Sequence, residues 1–176
     1  MRRPSPFILF AVVAVAACSG EQPTTARSAS PAPSAVMSSS TKDQPQTGLE
    51  VIPLRIDTSS GSHDFRVEVA RTSRQQDIGM MFRRSVGANE GMLFPFQEPR
   101  WASFWMKNTL IPLDLIFIRQ DGTIARVAAN AEPRSLRPIG VSEAVAAVLE
   151  LGGGRAAELG ITEGDQVSWA GGPSPR

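Results

Sequence analysis

Cysteine, histidine and tyrosine are nearly absent from this chain: its 176 residues contain one Cys, one His and no Tyr. A single thiol excludes an intramolecular disulfide and any multi-thiolate zinc site. A single imidazole excludes the two-His metal motifs. Charge of one sign is scarce too. Lys and Arg number 18 against 17 Asp and Glu, a formal net charge of +1, so the basic excess that marks a nucleic-acid binder is missing. No apolar run approaches the ~20 residues of a membrane-spanning helix. Gly152-Gly153-Gly154-Arg155 has neither the Lys-Ser/Thr of a P-loop nor the spacing of the dinucleotide fingerprint, which excludes nucleotide binding. Nothing in the composition calls for a cofactor.

What is present begins with an address. Arg2 and Arg3 precede an 11-residue apolar run, Phe7 to Ala17, matching the basic and hydrophobic regions of a secretory signal. The run ends in Val15-Ala16-Ala17-Cys18, which resembles the bacterial lipobox. The resemblance implies cleavage after residue 17, lipidation of the Cys18 thiol, and attachment through acyl chains worth ~0.8 kcal/mol per buried CH₂. Ser19 following the cysteine favours the outer membrane, with the chain facing the periplasm. Loss of Arg2 and Arg3 leaves 16 basic residues against 17 acidic.

Residues 18–48 then read as the lipidated cysteine and a disordered tether rich in Ser, Pro, Thr and Ala, too apolar-poor to offset its ordering entropy. Residues 49–170 hold all three Trp and every Phe outside the signal, enough for one core. Residues 171–176 form a frayed tail. Within the domain, His63, Phe65, Val67 and Val69 alternate with Asp64, Arg66 and Glu68, the period of a half-buried strand. Thr72 reads as the N-cap of a short helix over Ser73–Met80. Gly91–Phe96 is a short apolar run bounded by Gly and Pro, Trp101–Lys107 and Leu113–Arg119 read as two strands, and Asp121-Gly122 reads as a hairpin turn. Val141–Leu151 fits helix or strand equally. Arg155–Leu159 is a short helix stopped at Gly160. The expected class is mainly β: a single barrel or jelly-roll-like sandwich with one or two short helices.

Four blocks stand out in the centre: Gly79-Met80-Met81, Gly91-Met92-Leu93-Phe94, Trp105-Met106-Lys107-Asn108-Thr109 and Ile111-Pro112-Leu113-Asp114. Val148-Leu149-Glu150-Leu151 and Gly164-Asp165 follow. In order and spacing, over residues 65–168, the chain resembles the domain of unknown function 192 family. That resemblance implies a β-rich fold of jelly-roll or barrel kind and makes Val141–Leu151 a strand. It implies no reaction.

The residues themselves favour binding over catalysis. Trp101 and Trp105 share a strand face if Trp101–Lys107 is extended, and indole offers a flat apolar surface with one N–H donor. Buried on both sides, this is a core strand. With one face open, it is a platform for a cell-wall or sugar-like ligand or an envelope protein. Asp114 interrupts an apolar strand and needs a partner, for which Lys107 is the candidate. The expected site is a cleft of Trp101, Trp105, Lys107, Asn108 and Asp114. One alternative is a hydrolase pairing Asp114 with Glu68, Glu132 or Glu150. A second is a Cu(I) site of Met80, Met81, Met92 and Met106 with His63, although Met also fills irregular cores well. The composition otherwise implies no metal. A third is a scaffold with a broad apolar patch.

Overall fold

The structure, a computed structural model, describes residues 44–173. The signal run, Cys18 and most of the tether lie outside the described residues. Strand β1 (Val51–Thr58) buries Ile52, Leu54 and Ile56 in strict alternation. It turns through Ser59-Ser60 into antiparallel β2 (Gly61–Val69). Helix α1 (Ser73–Ile78) follows, with Thr72 as N-cap. The Thr72 hydroxyl accepts from the Gln75 amide, and the Gln75 side chain accepts in return from the Thr72 amide, a reciprocal capping box. Six residues cannot sustain a helix alone. Gln76 ties α1 down by donating to the Ala70 and Pro95 carbonyls at 3.0 and 3.1 Å.

The crossover through α1 lets β3 (Glu90–Phe104) pair parallel to β2, from Arg66↔Glu90 to Val69↔Leu93. Such a pair requires a long connection. Gly91 sits where β3 presses on its other neighbour: a Cβ there would meet the Glu150 carbonyl oxygen at 2.5 Å. β4 (Leu113–Ile118), β5 (Ile124–Ala131), β6 (Ile139–Gly152), α2 (Arg155–Leu159) and β7 (Gln166–Trp169) complete the domain. The strands form one sheet in the order β5-β4-β6-β3-β2-β1-β7. The sheet curls into a half-barrel, and its edge strands meet at one end. There Thr123 bridges Gln166, and the Val167 amide donates to the Gly122 carbonyl at 2.8 Å.

Each sheet face carries a core. On one side pack Ile52, Leu54, Ile56, Phe65, Val67, Ile116, Leu149, Leu151 and Ala156 of α2. On the other pack Met80, Met92, Phe94, Met106, Leu113, Leu115, Phe117 and Val148. β4 is buried along its whole length, as expected of a strand covered on both faces. The mainly β expectation holds, with a single curled sheet and two short helices.

Two expectations need correction. The Gly91–Phe96 run and the Trp101–Lys107 strand are not separate elements. They belong to the 15-residue β3, which ends at Phe104 and carries register shifts between Pro95 and Arg100 and again between Trp101 and Ser103. Bulges absorb Pro95 and Pro99 without ending the strand. The tether, in turn, does not run free to residue 48. The Gln46 side-chain amide donates to the Gln75 and Gly79 carbonyls at 3.0 and 2.9 Å, fixing the chain against α1.

Candidate functional site

The five residues expected in one cleft fall in three places. Asp114 is fully buried at 0% exposure and makes no ion pair with Lys107. Its partners are backbone amides: Asn130 at 2.8 Å and Gly154 at 3.0 Å on Oδ1, and Ala156 at 2.7 Å on Oδ2. Gly154, the N-cap of α2, has no side chain to cap the helix. Asp114 supplies the missing acceptor from a strand 40 residues earlier, at the end of the helix where an anion is favoured. It is a structural carboxylate.

Trp101 is 73% exposed and stands beside an open groove of about 720 Å³ with Arg126, Glu143 and Glu163. The Trp face of β3 is therefore open. Trp105 is 51% exposed and borders a different cleft, of about 440 Å³, between α1 and β3. The Lys107 ammonium lies 5.1 Å from the Trp105 ring centroid, a cation–π contact. Asn108 adopts a left-handed conformation (φ 58°), as does Phe82 (φ 64°). The Phe82 amide donates to the Asn108 carbonyl at 2.9 Å, joining the two loops that flank this second cleft.

The cleft is organised by Glu150. In the sheet register Glu150 lies opposite Met92 of β3 and Leu115 of β4. It therefore shares their face, the Met-rich one. Glu150 is 5% exposed, lines the cleft with Met80, Phe94, Phe104 and Thr109, and its Oε2 has no hydrogen-bond partner among the described residues. Burial raises its pKa to about 8, opposed only by the nearby Arg83 guanidinium. At neutral pH the group is a neutral carboxylic acid, with one donor and one acceptor to offer. Arg83 is itself committed to Glu68 in a half-buried ion pair and to the Gln46 carbonyl. Sequence reasoning saw Glu150 as an interruption in an apolar run. It could not see that Glu150, rather than Asp114, faces the open cleft.

The same register disposes of the carboxylate pair. Asp114 lies opposite Leu151, which packs in the other core. Asp114 and Glu150 therefore point to opposite faces of the sheet. The Cu(I) reading fails in the same way. His63 shares the strand face of Phe65 and Val67, whereas Met80, Met92 and Met106 pack on the other side.

A family model described as an uncharacterized ACR, DUF192, matches residues 55–169. The chain belongs to the DUF192 family. Two solved structures align with it. One, from Sinorhizobium meliloti 1021 and provisionally named a transcription regulator, is 42% identical with a TM-score of 0.69, covering 72% of this chain and 98% of its own. The other, from Novosphingobium aromaticivorans DSM 12444 and of unknown function, is 45% identical with a TM-score of 0.69, covering 75% and 94%. A search of curated proteins gave no match. The two neighbours share the fold, and the DUF192 assignment leaves activity unestablished.

Proposed function

We propose that this chain is an exported, lipid-anchored protein of the cell envelope whose β domain holds a small ligand in the cleft between α1 and β3. One observation carries the binding role: a buried carboxyl group with an unsatisfied oxygen lines an open cavity. An unsatisfied buried polar atom costs ~1–3 kcal/mol. Purely structural positions shed that cost by substitution, whereas a binding site recovers it when the ligand arrives. Trp105 at the rim and the strained Phe82 and Asn108 backbones beside the cleft support the same reading, since strain collects at ligand clamps. The neutral acid, the indole and the Thr109 hydroxyl suit a polar organic ligand such as a cell-wall fragment. Asp114 faces away from the cleft, so its pairing with Glu150 does not support hydrolysis.

The binding role is tested by titrating the purified protein with soluble fragments of a cell-wall digest and following backbone and indole N–H signals by NMR. Perturbation should cluster on Trp105, Met81 and Thr109 and vanish in Glu150→Leu. Perturbation confined to the Trp101 groove would refute the cleft. The anchor rests on Cys18 and its lipobox. Cys18→Ala should leave an unacylated chain that moves from the detergent phase to the aqueous phase on Triton X-114 partitioning. Unchanged partitioning would remove the anchor.

A further inference from the structure

Resting on the binding role above, we infer that the cleft beside α1 takes a ligand carrying a primary ammonium group, received by Glu150 at the floor and by Asp77 and the Trp105 ring nearer the mouth. Two carboxyl groups there have hydrogen-bonding capacity to spare. Glu150 Oε2 has no partner. Asp77, on α1, lines the same cleft and makes no ion pair or hydrogen bond among the described residues. The Thr109 hydroxyl already donates to the Lys107 carbonyl, which leaves its lone pairs free. Two of the nearby donors are engaged. Gln76 donates both ways to backbone. Arg100 lies 4.1 Å over the Phe96 ring and reaches the Gln76 oxygen at 3.4 Å. An anionic ligand would meet the exposed Asp77 carboxylate. An ammonium brings three donors and no acceptor. The cleft also lies at the C-terminal end of α1, where the helix carbonyls favour positive charge. The chain's own Lys107 ammonium on Trp105 shows that this ring accepts such a group.

Receiving a cation requires Glu150 to ionise. Its O–H bond breaks, the proton passes to solvent, and the carboxylate pairs with the ammonium. The charged groups around it are Arg83 with its partner Glu68 on one side, Asp77 from α1, and Arg100 from β3. β4 contributes the apolar Leu115. With the acid titrating near 8, proton loss weakens binding at pH 7 about tenfold relative to pH 9.

The test titrates the protein by NMR with n-butylammonium, 1-butanol and butyrate. Butylammonium should move the Trp105 indole and Thr109 amide signals, with a half-saturation concentration falling about tenfold from pH 7 to pH 9. Glu150→Gln should abolish that pH dependence. Asp77→Asn, an exposed change that leaves the core untouched, should weaken binding several-fold. Equal or tighter binding of butanol or butyrate in the cleft would overturn the ammonium assignment and leave the binding role standing, as would pH-independent binding of butylammonium. If none of the three moves the cleft signals while a cell-wall fragment does, the ammonium assignment alone falls. If nothing does, both fall.

Discussion

Asp114→Ala is expected to destabilise the domain by on the order of 5 kcal/mol, enough to unfold a protein of ordinary stability at moderate temperature. Three amides, those of Asn130, Gly154 and Ala156, lose their side-chain acceptor. Hydrogen bonds to a charged group contribute ~1.5–3 kcal/mol each. The substitution also strips α2 of its cap, because Gly154 offers none. Asp114→Asn should lose less, ~2–3 kcal/mol. Its amide oxygen can keep the two bonds on Oδ1, but its nitrogen would face the Ala156 amide. Urea unfolding followed by Trp fluorescence measures both. A loss below ~1 kcal/mol for Asp114→Ala would mean that those bonds are not what holds the β4–α2 junction.

The second large effect belongs to Glu150 and depends on pH. Burial lifts its folded-state pKa from the ordinary glutamate value of 4.5 to about 8, so the folded state holds a proton that the unfolded chain releases. Stability from this group is fully present below ~4.5 and is lost as pH rises toward and through 8. The total swing is on the order of 4–5 kcal/mol, at 1.36 kcal/mol per pH unit. Glu150→Gln carries no titrating proton. It should match the wild type near pH 5, exceed it by several kcal/mol at pH 9, and flatten the profile between. Parallel profiles for the two proteins would show that the pH dependence arises elsewhere. The outward-facing pair Arg119–Glu143, at 2.8 Å, contributes little by comparison, because exposed ion pairs are screened.

Much of the fold was legible because its signals are local. The alternation of His63–Val69, the Thr72 N-cap and the Asp121-Gly122 turn each sit within a few residues, and each appears where expected. The continuity of β3 was hidden because Pro95 and Pro99 read as breaks until bulges accommodate them. The site was half legible. Asp114 and Glu150 both announced themselves as acids in apolar strands, and the same residue pattern gave both the same reading. What separates them is register, Asp114 opposite Leu151 and Glu150 opposite Leu115, together with backbone amides 16 to 42 residues away. Backbone donors leave no trace in side-chain identity. Trp101 and Trp105 were expected together because they alternate along an extended chain. The strand ends at Phe104, so they turn into different cavities.

The central claim is that Glu150 is a protonated acid at the floor of an open cleft, and its titration can be observed directly. The ¹³Cδ shift of Glu150, assigned by difference against Glu150→Gln and followed from pH 4 to pH 10, should move with a midpoint near 8. A midpoint in the ordinary carboxylate range near 4.5 would contradict the account, because a carboxylate ionised at neutral pH cannot be the buried, unsatisfied acid on which the binding role depends.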